Sequence, residues 1–129
     1  MQLELSKDQE KTLKDFSQEV IERNKQHNLT GHKDHTTFYN LQVADCISAH
    51  NACKNILSKN IVDCGSGAGL PSIVWAVLSP EKKFYSIDKN EKKIQFQKKL
   101  VTKLNIKNIE IHLSKIEEFN LNETHTVVV

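Results

Sequence analysis

Asn60-Ile61-Val62-Asp63-Cys64-Gly65-Ser66-Gly67-Ala68-Gly69-Leu70-Pro71 is the stretch on which the fold of this chain turns. Its first five residues are short, apolar and β-branched, as in a buried parallel strand, and the glycines follow directly. Three of the four glycines in the chain stand in the pentad 65–69. Glycine so scarce elsewhere belongs where backbone turns sharply, takes positive φ and lets a ligand approach without a Cβ in the way. The pentad therefore reads as a nucleotide-type cofactor loop. Pro71 suits the first turn of a helix running through Ile73, Val74, Trp75 and Val77 to Leu78.

Working outward, Ser79-Pro80 ends that helix, and Phe84-Tyr85-Ser86-Ile87 makes a second strand finishing in Asp88. The result is a βαβ unit. An acid about twenty residues past a glycine loop is where a Rossmann-like fold holds ribose hydroxyls, which makes Asp88 the candidate ribose ligand. A helix follows over about Glu91 to Leu104, with Phe96, Leu100 and Leu104 as its apolar stripe. Ile109 to Leu113 alternates as a third strand, Ser114 to Phe119 reads as a turn or short helix, and Thr126 to Val129 as a fourth strand. Upstream, Ser6 and Gln9 fit a capping box, and Leu13, Phe16 and Val20 recur at helical spacing, predicting a helix over 7–26. Asn28-Leu29-Thr30-Gly31 breaks it, and Asp34 caps a second helical stretch reaching about residue 57. The expected architecture is α/β: a helical N-terminal lobe over 1–58 and a mainly parallel, doubly wound core over 59–129.

A length of 129 residues, 38% of them apolar and 26% charged, fits one soluble domain. Residues 1–10 are charged and lack an apolar core, and no run approaches a membrane span, so the expected location is cytoplasmic with no membrane partner. Cys46, Cys53 and Cys64 are an odd set without a C-x-x-C pair, which argues against disulfides and zinc ribbons and for a reducing compartment. On one helix Cys46, His50 and Cys53 would share a face, but no fourth ligand is evident, and small cysteines on a buried face read as packing. No metal is expected. No serine or cysteine nucleophile sits in an elbow motif. Residues 82–107 carry nine lysines against Asp88 and Glu91, while arginine occurs once, at Arg23. That stretch reads as solvated helix faces, with phosphate contact as the other reading, because sites for RNA favour the bidentate fork of arginine.

A dinucleotide fingerprint G-x-G-x-x-G would place its third glycine at position 70, where this chain has Leu70; the glycines run G-x-G-x-G instead. That weakens NAD and FAD. An aspartate, Asp63, leading into Gly65, Gly67 and Gly69 resembles the first motif of class I S-adenosylmethionine methyltransferases. With Asn28-Leu29-Thr30 upstream, Leu70-Pro71 after the glycines, Asp88 with Lys92-Lys93, and Ser114-Lys115-Ile116-Glu117-Glu118-Phe119 downstream, the order resembles the glucose-inhibited division protein B family over nearly the whole chain. Those bacterial enzymes methylate N7 of a guanine in 16S ribosomal RNA. The resemblance implies S-adenosyl-L-methionine as cofactor, with backbone around Gly65 and Leu70 beside its methionine part, Asp88 on the ribose, and Ile116 and Glu117 beside the adenine. It implies 16S ribosomal RNA or the small ribosomal subunit as partner, and Asn28, Thr30 and Asp45 as candidates to face the cleft.

The sequence also departs from the family pattern. Where members carry an R-H-x-x-D-S string, this chain reads Leu41-Gln42-Val43-Ala44-Asp45-Cys46, and Ser72 replaces the usual glycine after G-L-P. Members continue past the fourth strand into a Ser-Arg segment, so ending at Val129 is expected to leave a fragment or a decayed relative with its C-terminal strands missing. In a sheet of order 3-2-1-4-5 that would remove half of the ligand crevice, impair turnover and expose Thr126 to Val129 to self-association. Methylation at N7 needs no general base, since the lone pair is free, and no catalytic residue is assigned. Two alternatives stay open: a class I methyltransferase with another acceptor, and a non-catalytic remnant that binds cofactor.

Overall fold

This computed structural model describes residues 5–128. The expected capping box starts the first helix, α1 (Lys7–Asn24): Ser6 Oγ accepts from the Gln9 amide at 3.0 Å and Gln9 Oε1 from the Ser6 amide at 3.0 Å. Its apolar stripe, Leu13, Phe16 and Val20, is fully buried. The chain then turns through residues 25–34, where Asn24 Oδ1 accepts from the amides of both Leu29 and Thr30. Asp34 caps α2 (His35–Phe38) through the Thr37 amide, as its position foretold. The second helical stretch is not uniform, however. One π turn (Tyr39–Val43) separates α2 from α3 (Ala44–Cys53), which ends short of the expected limit near residue 57.

Strand β1 (Asn60–Cys64) leads through the glycine loop to α4 (Ser72–Leu78), then β2 (Lys83–Asp88), α5 (Glu91–Lys103), β3 (Ile109–Leu113), a 3₁₀ turn (Ile116–Glu118) and β4 (Thr126–Val128). The strands are all parallel in the order β3-β2-β1-β4. Parallel neighbours need a crossover, and α4 and α5 supply two of them. The expected α/β fold is observed, with β1 buried along most of its length between β2 and β4. Of the expected fourth strand, Val129 lies outside the described residues.

One face of the sheet carries the core. Ile61, Phe84, Ile109 and Ile111 join Ile73 and Val74 of α4, Ile94 and Leu100 of α5, and Phe16 and Val20 of α1 in one hydrophobic cluster. The helical N-terminal segment therefore shares its core with the sheet. The seam between α3 and α4 is tied by Trp75, almost wholly buried, whose Nε1 donates to the Cys46 carbonyl at 2.8 Å while its ring meets His50 edge-on. The opposite face holds Tyr85, His112 and Phe119, with ring centroids 5.3 to 6.4 Å apart. No helix among the described residues is long and apolar enough to cross a membrane.

Asn108 is a joint that the apolar pattern does not announce. Just ahead of β3, its Nδ2 is shared among the carbonyls of Ala76, Ser79 and Lys82 at 3.0 to 3.1 Å, fastening the turn between α4 and β2 to the start of β3. Removing it strands partly buried carbonyls, whereas the Lys83–Glu110 ion pair nearby is exposed and screened. Asn108→Ala is expected to lower unfolding free energy by about 1 to 3 kcal/mol and Glu110→Ala by less than about 1 kcal/mol, read from urea denaturation midpoints.

Candidate functional site

The carboxyl ends of β1, β2 and β3 open onto a cleft of about 980 Å³, lined by Cys64, Gly65, Ile87, Asp88, Lys89, Asn90, Lys93, Ser114, Lys115, Ile116 and Glu117. Four residues singled out in the sequence, Gly65, Asp88, Ile116 and Glu117, therefore meet in one place although 52 positions of sequence separate the first from the last. This edge is where open parallel sheets bind ligands, because loops after alternating strands diverge there and leave a crevice.

The glycine loop is shaped by backbone bonds that fold it back on itself. Ile87 O accepts from the amides of Gly65 at 2.9 Å and Ser66 at 3.3 Å, and Ser66 O accepts from Gly69 at 2.9 Å and Leu70 at 3.2 Å. Gly65 and Gly67 adopt φ of +74° and +59°, with open space where a Cβ would stand. Gly69 is glycine for a different reason: at φ +101° a Cβ would collide with the Ile73 side chain. Neither Gly67 nor Gly69 lines the cleft, and Leu70 packs against the core.

Asp88 occupies the mouth of the loop. One carboxylate oxygen accepts from the Gly67 amide at 2.9 Å and the other from the Asn90 amide at 2.8 Å. Each oxygen keeps a further lone pair, so the group still has two acceptor positions, the number a vicinal diol requires. Beside it stands the exposed Ile116, an apolar surface at the wall of the cleft, followed by Glu117.

Asp63 sits behind the loop rather than in the cleft. It is 2% exposed, and its Oδ2 accepts from the Ser72 amide at 3.1 Å, bracing the loop's exit into α4. Burial pushes its carboxyl up to about 6, with hydrogen bonding from Ser72 offsetting part of the rise and the Asp88 charge adding to it. Burial raises the Cys64 thiol, with the charge of Asp63 adding, and takes Cys46 up to about 12, which disfavours the thiolate at both. Asp45, on α3, and Asn28, in the turn after α1, are exposed; Thr30 is half-buried.

Among the described residues no group of three His, Cys, Asp or Glu side chains is arranged to hold a metal. His50 instead pairs its Nε2 with Ser79 Oγ at 2.6 Å. Sequence reasoning missed three buried polar residues, Ser66 within the loop and Ser86 and Gln97 beneath it. A signal existed. Ser86 interrupts an apolar strand and Gln97 lies three residues from both Ile94 and Leu100 on the apolar stripe of α5, positions where polar side chains must find partners.

Because the Asp63 carboxyl rises from 3.8 to about 6 on folding, the folded chain binds more protons than the unfolded one between those values. Stability is then highest below about pH 4 as far as this group is concerned, and falls as pH rises through 6 by something on the order of 3 kcal/mol. Asp63→Asn keeps an acceptor for Ser72 without the charge. Its unfolding free energy, compared with that of the parent at pH 4.5 and pH 7.5, is expected to show a relative gain at the higher pH; a parallel pair of curves would refute the assignment.

Residues 9–129 match the family described as rRNA small subunit methyltransferase G. A protein of Brachyspira hyodysenteriae named ribosomal RNA small subunit methyltransferase G is 32% identical over 126 residues, covering 98% of this chain and 60% of that protein. One of the same name from Petrotoga mobilis is 38% identical over 93 residues, 71% of this chain and 41% of its own length. A third, from Shewanella woodyi, is 32% identical over 119 residues, 92% of this chain and 56% of its own. The chain thus spans about 60% or less of the length of each of these relatives. With a parallel α/β sheet, a glycine loop after its central strand and an acid at the end of the next, matched along nearly all its length, the chain belongs to the rRNA small subunit methyltransferase G family.

Proposed function

We propose that the cleft binds S-adenosyl-L-methionine and that the protein takes part in methylation of N7 of a guanine in 16S ribosomal RNA. The observation that carries this reading is the convergence of Gly65, Asp88, Ile116 and Glu117 on one cleft at the carboxyl edge of the sheet. Asp88 has two free acceptor positions for the ribose diol, and Ile116 offers the adenine an apolar wall, with Glu117 able to accept from its exocyclic amine. Gly65 gives the aminoacyl end room where any other residue would carry a Cβ. The fit is supported by that open space, by the Asp88 acceptors for hydroxyls, and by the loop amides of Gly65, Ser66, Gly67, Gly69 and Leu70, which are already taken within the protein rather than turned out to a pyrophosphate.

When bound, such a cofactor supplies a methyl group made electrophilic by the sulfonium. The chain's own task is positional. Guanine N7 attacks with a free lone pair and loses no proton, so the site needs neither a general base nor an activated thiol, in keeping with the raised Cys64 and Cys46. Asp88 and the loop hold one reactant at a fixed depth, and the wall at Ile116 limits its rotation. Lys89, Lys93 and Lys115 line the same cleft and give the approach of a phosphate backbone a favourable charge. The cytoplasm, where ribosomal RNA is made and assembled, is the compartment this reading requires.

Isothermal titration is expected to give tighter binding of S-adenosylhomocysteine than of NAD, and the reverse order would sink the cofactor assignment. Asp88→Ala should weaken S-adenosylhomocysteine by about 1.5 to 3 kcal/mol, the range for hydrogen bonds to a charged group. Part of that loss would arise in the loop, since Asp88 also holds the Gly67 and Asn90 amides. Methyl transfer to small ribosomal subunits lacking the modification, followed by mapping of the methylated base, tests the acceptor.

A further inference from the structure

Both backbone polar groups of Gly67 are held by side chains rather than by the loop itself. Its amide donates to Asp88 Oδ2 at 2.9 Å, and its carbonyl accepts from Gln97 Nε2 at 2.7 Å. The second proton of the Gln97 amide reaches Ser66 Oγ at 2.9 Å, while Ser86 Oγ lies 2.6 Å from both Gln97 Oε1 and Ser66 Oγ. Gln97 and Ser86 are 0% exposed and Ser66 is 3% exposed, so water does not share the bonds among these three, while the two bonds at Gly67 lie nearer the surface. The carbonyl of Gly67 fixes which end of the Gln97 amide is nitrogen. Since Gln97 Oε1 has no proton to give, the single proton of Ser86 goes to it, and that of Ser66, for which Ile87 O at 3.4 Å is the longer alternative, closes the ring onto Ser86 at 2.6 Å. A closed cycle of three bonds results, with one spare donor aimed at the glycine loop.

We infer that Gln97 is a positioning residue for the cofactor cleft: from the middle of α5 it latches Gly67, and through the Gly67 amide it sets the orientation of the Asp88 carboxylate. The inference rests on the reading of the cleft as an adenosyl site, but the latch itself is a property of the free protein. Three links transmit it. α5 holds Gln97, Gln97 holds the Gly67 carbonyl, and the same residue's amide holds Asp88. The φ of +59° at Gly67 makes the peptide free to rotate when released, because glycine has little steric preference to restore it. Nothing in the sheet replaces these bonds, since neither group of Gly67 belongs to a strand ladder.

The test compares the parent with Gln97→Met, which keeps volume and loses the donors, and with Ser86→Ala, which removes one hydroxyl of the ring. Amide hydrogen exchange by NMR is expected to speed up about tenfold or more at Gly67 and Gly69 in Gln97→Met, with Val62 in β1 and Val74 in α4 unchanged. Ser86→Ala should give a smaller change at the same amides. Uniform acceleration across β1, α4 and α5 would mean a structural role only, and unchanged exchange at Gly67 would remove the latch; either overturns the inference. Affinity for S-adenosylhomocysteine should fall about tenfold in Gln97→Met, which keeps volume and removes donation; unchanged affinity in that variant also overturns the inference. Failure of the parent to bind S-adenosylhomocysteine would defeat the cofactor reading, while local exchange at Gly67 would still uphold the latch.

Discussion

Everything at the functional end of this molecule follows from one constraint: β1 is buried between two parallel neighbours, so its chain must leave the sheet at the carboxyl edge and return along α4. The reversal is made within Gly65 to Pro71, too short a span for a relaxed loop. Positive φ at three glycines, the two amides that Ile87 O accepts, and the Asp63 carboxylate under the Ser72 amide are the means by which it closes. A loop closed in this manner turns its outer side toward the end of β2. The acid there, Asp88, is drawn into the loop's own hydrogen bonding before any ligand arrives.

Much of this was legible in the residues. β1 over Asn60–Cys64 and β3 over Ile109–Leu113 lie where the apolar pattern put them: β1 is buried along most of its length and shows this in composition, while the edge strand β3 buries one face and shows it by alternation. The capping box at Ser6 and the cap at Asp34 were legible for the same reason, each being a local bond between residues three apart. Periodicity failed between 39 and 43, where a π turn shifts the helical register and no local motif marks it. Within the site, Gly65, Asp88, Ile116 and Glu117 converge, whereas Asp63 and Leu70 face inward. A linear motif records that an aspartate precedes the glycines but not which way its side chain points, and the alternation of the strand sends Asp63 to the helical side of the sheet.

The polar interior beneath the loop went unread because its bonds run between distant positions. Ser66, Ser86 and Gln97 satisfy one another across 11 to 31 residues of sequence. Polar groups in such a place are costly unless every partner is present, and complete satisfaction is what turns a liability into a specification of geometry. Asn108 acts similarly at the other end of the sheet, where three carbonyls compete for its two amide protons.

The setting of Trp75 carries an optical consequence. It is the chain's one tryptophan, 5% exposed, with its indole nitrogen bonded to Cys46 O and its ring against His50. Fluorescence excited selectively in the indole band therefore originates from the seam between α3 and α4, in surroundings that favour short-wavelength emission, and none of it from the cleft. A red shift during denaturation dates the parting of that seam, while a quenching step on acidification would register the charging of the neighbouring imidazole. The glycine loop is spectroscopically dark by comparison.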